Sequence, residues 1–400
     1  MKPFKLFIIL SLIYTFLSCS LMMLDEPPPA AVTSPSRILL IVDQSMLTAI
    51  SDNLSQYSDD IFAEGGSVEI RPFPSEGSAE TLKDLIISNR STIDGVFLVG
   101  DLPTAMYEQT AFGKHEEFPI DLFLMDLDAN WIDENKNGIY DGHSPLNLTI
   151  FASRINGTTE EINKYFTKLH NYRAGSYEYL GGAFIFKDDD WFDTYSGSSF
   201  GLERLYDSIR INDNVENTAK DNYIYSLSNE GADYVYQWIH ATPNALYFNS
   251  YDNYDSFRYS DISSNNIRSR FLNMFNCKGA RYTQNNIAMT YLTDTETGIA
   301  ITGSTKVGGN YYALEFHRTL TLGSNWGNAF KSWYNYYGKN NDEWFLGMVI
   351  LGDPSIQIKD AQIDRSLDRS SFQSIIPPSQ ETIRAMGENL VGFEGLETTF

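Results

Sequence analysis

Cysteine is scarce in this chain: Cys19 and Cys277 are the two among 400 residues. So few exclude a disulfide-stapled scaffold and a multi-thiolate zinc site. Basic charge is also short. Twenty-nine lysines and arginines stand against 52 aspartates and glutamates, giving a net charge of −23 with no basic cluster. That balance repels phosphate backbones and anionic membrane surfaces, so no nucleic acid is expected as a partner. Long apolar runs are missing too, since the N-terminal run Leu6 to Leu17 is too short to span a bilayer. No repeat of fixed period occurs, and Gly303-Ser304-Thr305-Lys306 does not fit phosphate-loop spacing. What is present, at 42% hydrophobic content, can bury a full core.

The N-terminus reads as a leader. Met1 to Lys5 is a short basic region, Leu6 to Leu17 its apolar core, and Phe16-Leu17-Ser18-Cys19 resembles a bacterial lipoprotein cleavage site. Residues 1–18 are then a signal peptide, Cys19 the lipid attachment point, and 19–36, with its four prolines, a flexible tether. The simpler alternative is an ordinary signal peptide with an incidental cysteine. The lipoprotein reading places the protein in the cell envelope, outer membrane or periplasm-facing, touching membrane through its N-terminal lipid only. A lipidated Cys19 leaves Cys277 without a disulfide partner.

Beyond the tether the spacing predicts an α/β fold. Arg37 to Asp43 is a continuous apolar run, as in a central parallel strand. A helix over Met46 to Ala63, an edge-like strand over Val68 to Phe73, a helix over Ala79 to Ile87 and a strand over Ile93 to Val99 follow. Leu146 to Arg154 is a further strand, and Thr158 to Glu161 a capping box opening a helix to Arg173. A second set follows: strand Gly181 to Phe186, helix Leu202 to Ile209, strand Tyr223 to Leu227, helix Glu230 to His240 and strand Ala245 to Asn249. Next come strand Phe271 to Phe275 and strand Gly298 to Thr302. Residues 37–175 and 176–359 thus form two stacked α/β subdomains with mostly parallel sheets and helices on both faces. Residues 360–400, poor in apolar residues, are expected to be largely disordered.

Cys277 ends the Phe271 strand, with Lys278-Gly279 after it. The carboxyl end of a core strand is where α/β folds expose reactive groups.

Several segments together resemble a gingipain-type cysteine peptidase catalytic domain, a caspase-like fold. They are VFLVGDLP (Val96 to Pro103), FPIDLFLMDLD (Phe118 to Asp128), IFASRI (Ile150 to Ile155), NCKG (Asn276 to Gly279), GIAITGST (Gly298 to Thr305), WGNAFKSW (Trp326 to Trp333) and LGDPS (Leu351 to Ser355). The resemblance implies that Cys277 is the nucleophile. It also implies a base histidine in a Gly-His-Gly turn at the end of the preceding strand. With Ala245 to Asn249 as that strand, the turn reads Ser250-Tyr251-Asp252, without histidine or glycine. Tyr251 cannot raise the thiolate fraction, and Asp252 would oppose it. Of His115, His143, His170, His240 and His317, His240 is expected at the wrong end of the sheet. His317 is the least implausible substitute.

Asp133-Glu134-Asn135-Lys136-Asn137-Gly138-Ile139-Tyr140-Asp141 matches the start of a calcium loop. Asp133, Asn135, Asn137 and Asp141 supply side chains, Ile139 its carbonyl, and Asp126 or Asp128 the ligand that Ser144 cannot give. A structural Ca2+ is expected there. Asp188-Asp189-Asp190 reads as a solvated loop. The function expected is that of a degenerate peptidase that binds a peptide or protein ligand or acts as a scaffold. The alternative is an active cysteine endopeptidase using Cys277 with a non-standard base; for it the resemblance suggests cleavage after basic residues.

Overall fold

The computed structural model describes residues 36–248, 255–367 and 377–392. The leader, Cys19, the tether up to residue 35, and Tyr251 and Asp252 lie outside the described residues.

The first half follows the expected alternation: β1 (Arg37–Asp43), α1 (Ser51–Ala63), β2 (Ser67–Phe73), α2 (Ala79–Asn89) and β3 (Gly95–Val99). β1 is buried from Ile38 through Asp43, as a strand covered on both faces must be. α1 buries Leu54, Tyr57 and Ile61 along one stripe. β2 is the sheet edge, where Pro72 is tolerated. A hairpin that the sequence reading did not foresee comes next, β4 (Met106–Ala111) and β5 (Lys114–Pro119). After it come α3 (Leu122–Met125), the short pair β6 (Trp131–Ile132) and β7 (Gly142–His143), β8 (Phe151–Ile155) and α4 (Thr159–Arg173). The capping box forms: the Thr158 N–H donates to Glu161 Oε2 at 2.6 Å and the Glu161 N–H to Thr158 Oγ1 at 3.3 Å.

The second half runs β9 (Ala183–Lys187), β10 (Ile209–Asn212), α5 (Lys220–Tyr225), β11 (Ala232–Trp238), β12 (His240–Thr242), β13 (Ala245–Phe248) and β14 (Asp255–Arg258). It continues with α6 (Tyr259–Ser264), β15 (Ser269–Phe275), α7 (Ile287–Thr293), β16 (Ala300–Ser304), α8 (Leu314–Thr321), α9 (Trp326–Tyr336), α10 (Asp342–Phe345), β17 (Met348–Gly352) and α11 (Gln380–Gly392). Three expectations fail here. The segment Tyr223 to Leu227 is helical rather than a strand, and Glu230 to His240 is a strand rather than a helix. Every residue of β11 is buried, so its apolar positions carry no period to distinguish two exposed faces; the β-branched and aromatic Val235, Tyr234, Tyr236 and Trp238 suit a pleated sheet. Only a 3-10 turn, Leu202–Arg204, forms where a helix to Ile209 was expected. In the expected disordered tail, α11 forms and buries Ile383 and Met386.

The central sheet has ten strands in the order β10-β9-β11-β15-β16-β17-β8-β3-β1-β2. Neighbours pair in parallel except β16 and β17, which pair antiparallel from Ala300↔Gly352 to Ser304↔Met348. The two sets of βα units therefore join edge to edge in one sheet whose direction reverses once. β12, β13 and β14 form a separate antiparallel sheet. That separation moves the site.

Candidate active site

β15 delivers Cys277 to its carboxyl end, two residues past Phe275. The loop there is fastened to the end of β16: the Lys278 N–H donates to Lys306 O at 2.9 Å and the Ala280 N–H to Ser304 O at 3.0 Å. Lys278 takes a left-handed φ of +60°, a conformation that costs a side-chain-bearing residue free energy and is common at functional turns. Cys277 is 7% exposed. Burial pushes its thiol up to about 12, against the Gly308 backbone hydrogen bond and the Lys278 and Lys306 charges, which favour thiolate. Both Cys277 and Lys278 lie beyond the strand, so the alternation of strand side chains does not hold the Lys278 charge away from the sulfur. Gly308 and Gly309 wall the site. A Cβ on Gly308, at φ +116°, would come 2.6 Å from Trp344 O, and one on Gly309 3.1 Å from Asn276 N.

The strand beside β15 is β11, not Ala245 to Phe248, which forms β13 in the separate sheet. The position expected of a base turn therefore moves from residues 249–253 to the residues just past β11: Ile239, His240 and Ala241. In the β11–β15 register Trp238 is opposite Phe275, and the Ile239 N–H donates to Phe275 O at 3.3 Å. Two residues past that pair stand His240 and Cys277. The expectation that His240 lies at the wrong end fails because, although it opens β12, it also directly follows β11, the strand paired with β15. Its ring is 1% exposed, packs 4.3 Å (centroid to centroid) from Trp191, and places Nε2 2.6 Å from Asp190 Oδ2.

Asp190 arrives from the other side of β11, just past β9. The Asp188 N–H donates to Trp238 O at 2.9 Å, and the Asp188 side chain is fully buried. Asp188 to Asp190 is thus no solvated loop; it caps the neighbouring strand. Three adjacent parallel strands, β9, β11 and β15, lead to Asp190, His240 and Cys277 past their carboxyl ends. A carboxylate holding an imidazole, on the strand paired with the one that ends in a thiol, is the layout from which an activated nucleophile and its base can be built.

The remaining histidines sit elsewhere. His317, the least implausible substitute, is fully buried between Tyr234 OH and Phe200 O, each at 2.8 Å, and burial lowers its pKa to about 4. It is a core histidine with both nitrogens engaged. His170 pairs with Asp60 at 3.0 Å, His115 with Glu108 at 3.2 Å and His143 with Asp342 at 3.4 Å.

Residues 49–359 match peptidase family C25. The chain belongs to that family, the gingipain family. Its mixed α/β architecture, a large and mostly parallel sheet flanked by helices, is consistent with a caspase-like peptidase fold. No curated protein matches the chain. The gingipain-type segments prove to be mechanical neighbours. Arg154 of IFASRI places Nε 2.8 Å from both oxygens of Asp121 of FPID, and donates to Leu102 O and Pro103 O of GDLP at 3.2 and 3.0 Å. Tyr282, five residues past Cys277, donates its OH to the same Asp121 at 2.9 Å. Asp353 of LGDPS is fully buried, 2.7 Å from Arg173 of α4, and accepts from Tyr57 OH of α1 at 3.0 Å.

The acidic loop folds around Gly138, at φ +89°. The Asp133 carboxylate accepts from the N–H groups of Asn137 and Gly138 at 3.2 and 3.0 Å, and Asp141 from that of Glu134 at 2.9 Å. Asp126 and Asp128 do not join it. Asp126 accepts from the N–H groups of Asp128, Ala129 and Asn147, while Asp128 forms a bidentate pair with Arg90 at 2.8 Å. The carboxylate that approaches is Glu108 of β4, which accepts from the Asn135 and Asn137 amides at 2.6 and 2.9 Å. A carboxylate that reaches the loop from a hairpin distant in sequence has no local signature.

Proposed function

We propose that this gingipain-family chain is a cysteine peptidase in which Cys277 is the nucleophile, His240 the base and Asp190 the group that orients the imidazole. The observation that carries the reading is the register of β11 and β15, which sets His240 and Cys277 at equivalent positions past paired strand ends, with Nε2 clamped by Asp190. With Nε2 so held, the thiol proton passes to Nδ1. The sulfur then attacks a peptide carbonyl, and the imidazolium returns the proton to the leaving amine. Gly308, whose N–H already reaches the sulfur, favours the thiolate. The buried, protonated thiol describes a resting site that a peptide must enter and polarise.

A peptidyl chloromethyl ketone tests this. Labelling is expected to be Cys277-dependent, much faster than with iodoacetamide at pH 7, and slowed by His240→Ala. Labelling no faster than with iodoacetamide, or indifferent to His240→Ala, would sink the assignment. A second reading, a degenerate site that binds peptide without cutting it, is favoured by Ile239 and Ala241, which stand where the resemblance implies glycines. Rapid labelling without peptide turnover would support that one.

Two further proposals concern the frame. The acidic loop, with Glu108 as its distant ligand, holds a structural Ca2+; thermal unfolding should shift upward in millimolar calcium, and an unchanged midpoint would exclude it. Cys19 carries lipid and anchors the protein in the envelope; Cys19→Ser should release it from the membrane fraction, and retention there would refute the anchor.

A further inference from the structure

We propose that Lys306 is a positioning residue for the nucleophile: its ammonium grips the Val307 carbonyl and so aims the Gly308 N–H of the same peptide unit at the Cys277 sulfur. The inference rests on the peptidase reading of Cys277 and deepens it. Lys306 stands two residues past β16, and its side chain is fully buried. Nζ donates to Val307 O and to Glu343 O of α10, each at 2.5 Å. It lies 5.4 Å from the Phe112 ring centre and 5.7 Å from that of Phe118. Gly347 makes room for the stem, since a Cβ there would collide with Lys306 Cγ.

A buried ammonium is unfavourable, and burial brings the Lys306 pKa down to about 8. What the ammonium holds gives that burial a purpose. A peptide unit is planar, and in the trans form its C=O and N–H point in opposite directions. Fixing Val307 O therefore fixes the line of the Gly308 N–H, which reaches the Cys277 sulfur. Without that grip the unit would be loose, because Gly308, at φ +116°, and Gly309 have no side chains to resist its rotation. The loop is fixed up to this unit by other means: the Val307 N–H donates to Glu116 Oε2 and the Thr305 N–H to Gly347 O, each at 2.9 Å. Lys306 also holds the nucleophile's own loop, since its carbonyl accepts the Lys278 N–H at 2.9 Å. A cation on the Val307 carbonyl polarises the amide and strengthens its N–H as a donor. As the thiol proton leaves for His240, the sulfur keeps an aimed donor, and thiolate forms more readily.

Hydrogen exchange at the Gly308 amide tests the aim directly, read by NMR on the full chain labelled at valine carbonyl carbon and glycine nitrogen. That labelling confines the signals to the three Val–Gly pairs of the chain, and Val307→Ile identifies the one needed. The Gly100 amide, which donates to Ile155 O at 2.9 Å, is the internal reference for global opening. Cys277→Ala removes the acceptor and should speed Gly308 exchange about tenfold or more; Lys306→Met, with the thiol still present, should do the same. Inactivation by the peptidyl chloromethyl ketone supplies the chemical readout. Lys306→Met is expected to lower its limiting rate about ten- to a hundredfold with the half-saturating concentration nearly unchanged, and Lys306→Arg to recover most of the loss. Gly308 exchange indifferent to Cys277→Ala would overturn the proposal, whether or not any Lys306 variant folds. Faster exchange in Cys277→Ala but not in Lys306→Met would overturn it too, since the ammonium would then act by charge without aiming the donor. So would a limiting rate and half-saturating concentration that worsen together as the unfolding midpoint falls, the mark of a merely structural lysine. If wild-type labelling is slow or indifferent to His240→Ala while both substitutions speed exchange, the peptidase reading fails and the aimed donor stands.

Discussion

Two buried regions of this molecule are built on carboxylate–cation pairs, and they differ in whether the cation can change charge. Around IFASRI and LGDPS, Arg154 holds Asp121 and Arg173 holds Asp353. At the end of β11, His240 holds Asp190. Arginine keeps its proton at any pH a cell meets, so the first region is permanent cement; burial works against the Arg154 charge, but Asp121 and Tyr282 more than restore it. Imidazole can give and take a proton near neutrality, so the same geometry with histidine suits the base role proposed for His240. Under the proposed assignment, the same buried geometry serves support in one place and chemistry in the other.

The sharpest way to break the contrast is at the working pair. Cys277→Ala should abolish peptide hydrolysis, and His240→Ala should lower it roughly 10²–10⁴-fold, read as kcat/KM beside a thermal melt that separates lost chemistry from lost fold. At the cement, Arg154→Ala leaves Asp121 buried without its charge partner and should cost about 3–5 kcal/mol in urea unfolding. If Arg154→Ala is mild and His240→Ala unfolds the chain, the roles are reversed. Asp190→Asn keeps the shape but not the charge; it should lower kcat/KM by about a hundredfold and displace the acidic limb of the pH profile, which a purely structural role would leave in place.

The smallest effect sharpens the comparison away from both regions. The Asp342 pair and the Ser144 carbonyl raise the His143 pKa even though burial works to lower it. A raised folded-state pKa gives stability that is complete below the ordinary imidazole value of about 6.5 and is lost as pH climbs through the folded value. With Asp342 about half exposed, that contribution is about 0.5 kcal/mol. His143→Gln should flatten stability between pH 6 and 8 by that amount, and an unchanged slope would show the pair to be inert.

The sequence made the frame readable wherever local chemistry and tertiary packing agreed. β1 announced itself as an unbroken apolar run, α4 by its capping box, and Cys277 by its place after a core strand. It hid the base. β11 is buried on both faces, so Ala232 to Trp238 offered no alternation, and a helix read through it put His240 in the wrong place. Ile239 and Ala241 removed the glycine signature that would have corrected the error. Asp190 looked solvated because three aspartates in a row usually are, and Glu108 approaches the acidic loop from a hairpin that charged residues disguised. Each miss is a contact between segments far apart in the chain, which no local pattern records.

The single reversal of strand direction also governs how the molecule can be made. β17, residues 348–352, lies in mid-sheet, with β16 on one side and β8 on the other. Until a ribosome has delivered that strand, β8 and β16 each present an open edge, and neither half-sheet has its seam. Synthesis therefore leaves two unpaired edges waiting for one late strand, a long-range closure that makes folding slow and a chaperone-bound interval useful.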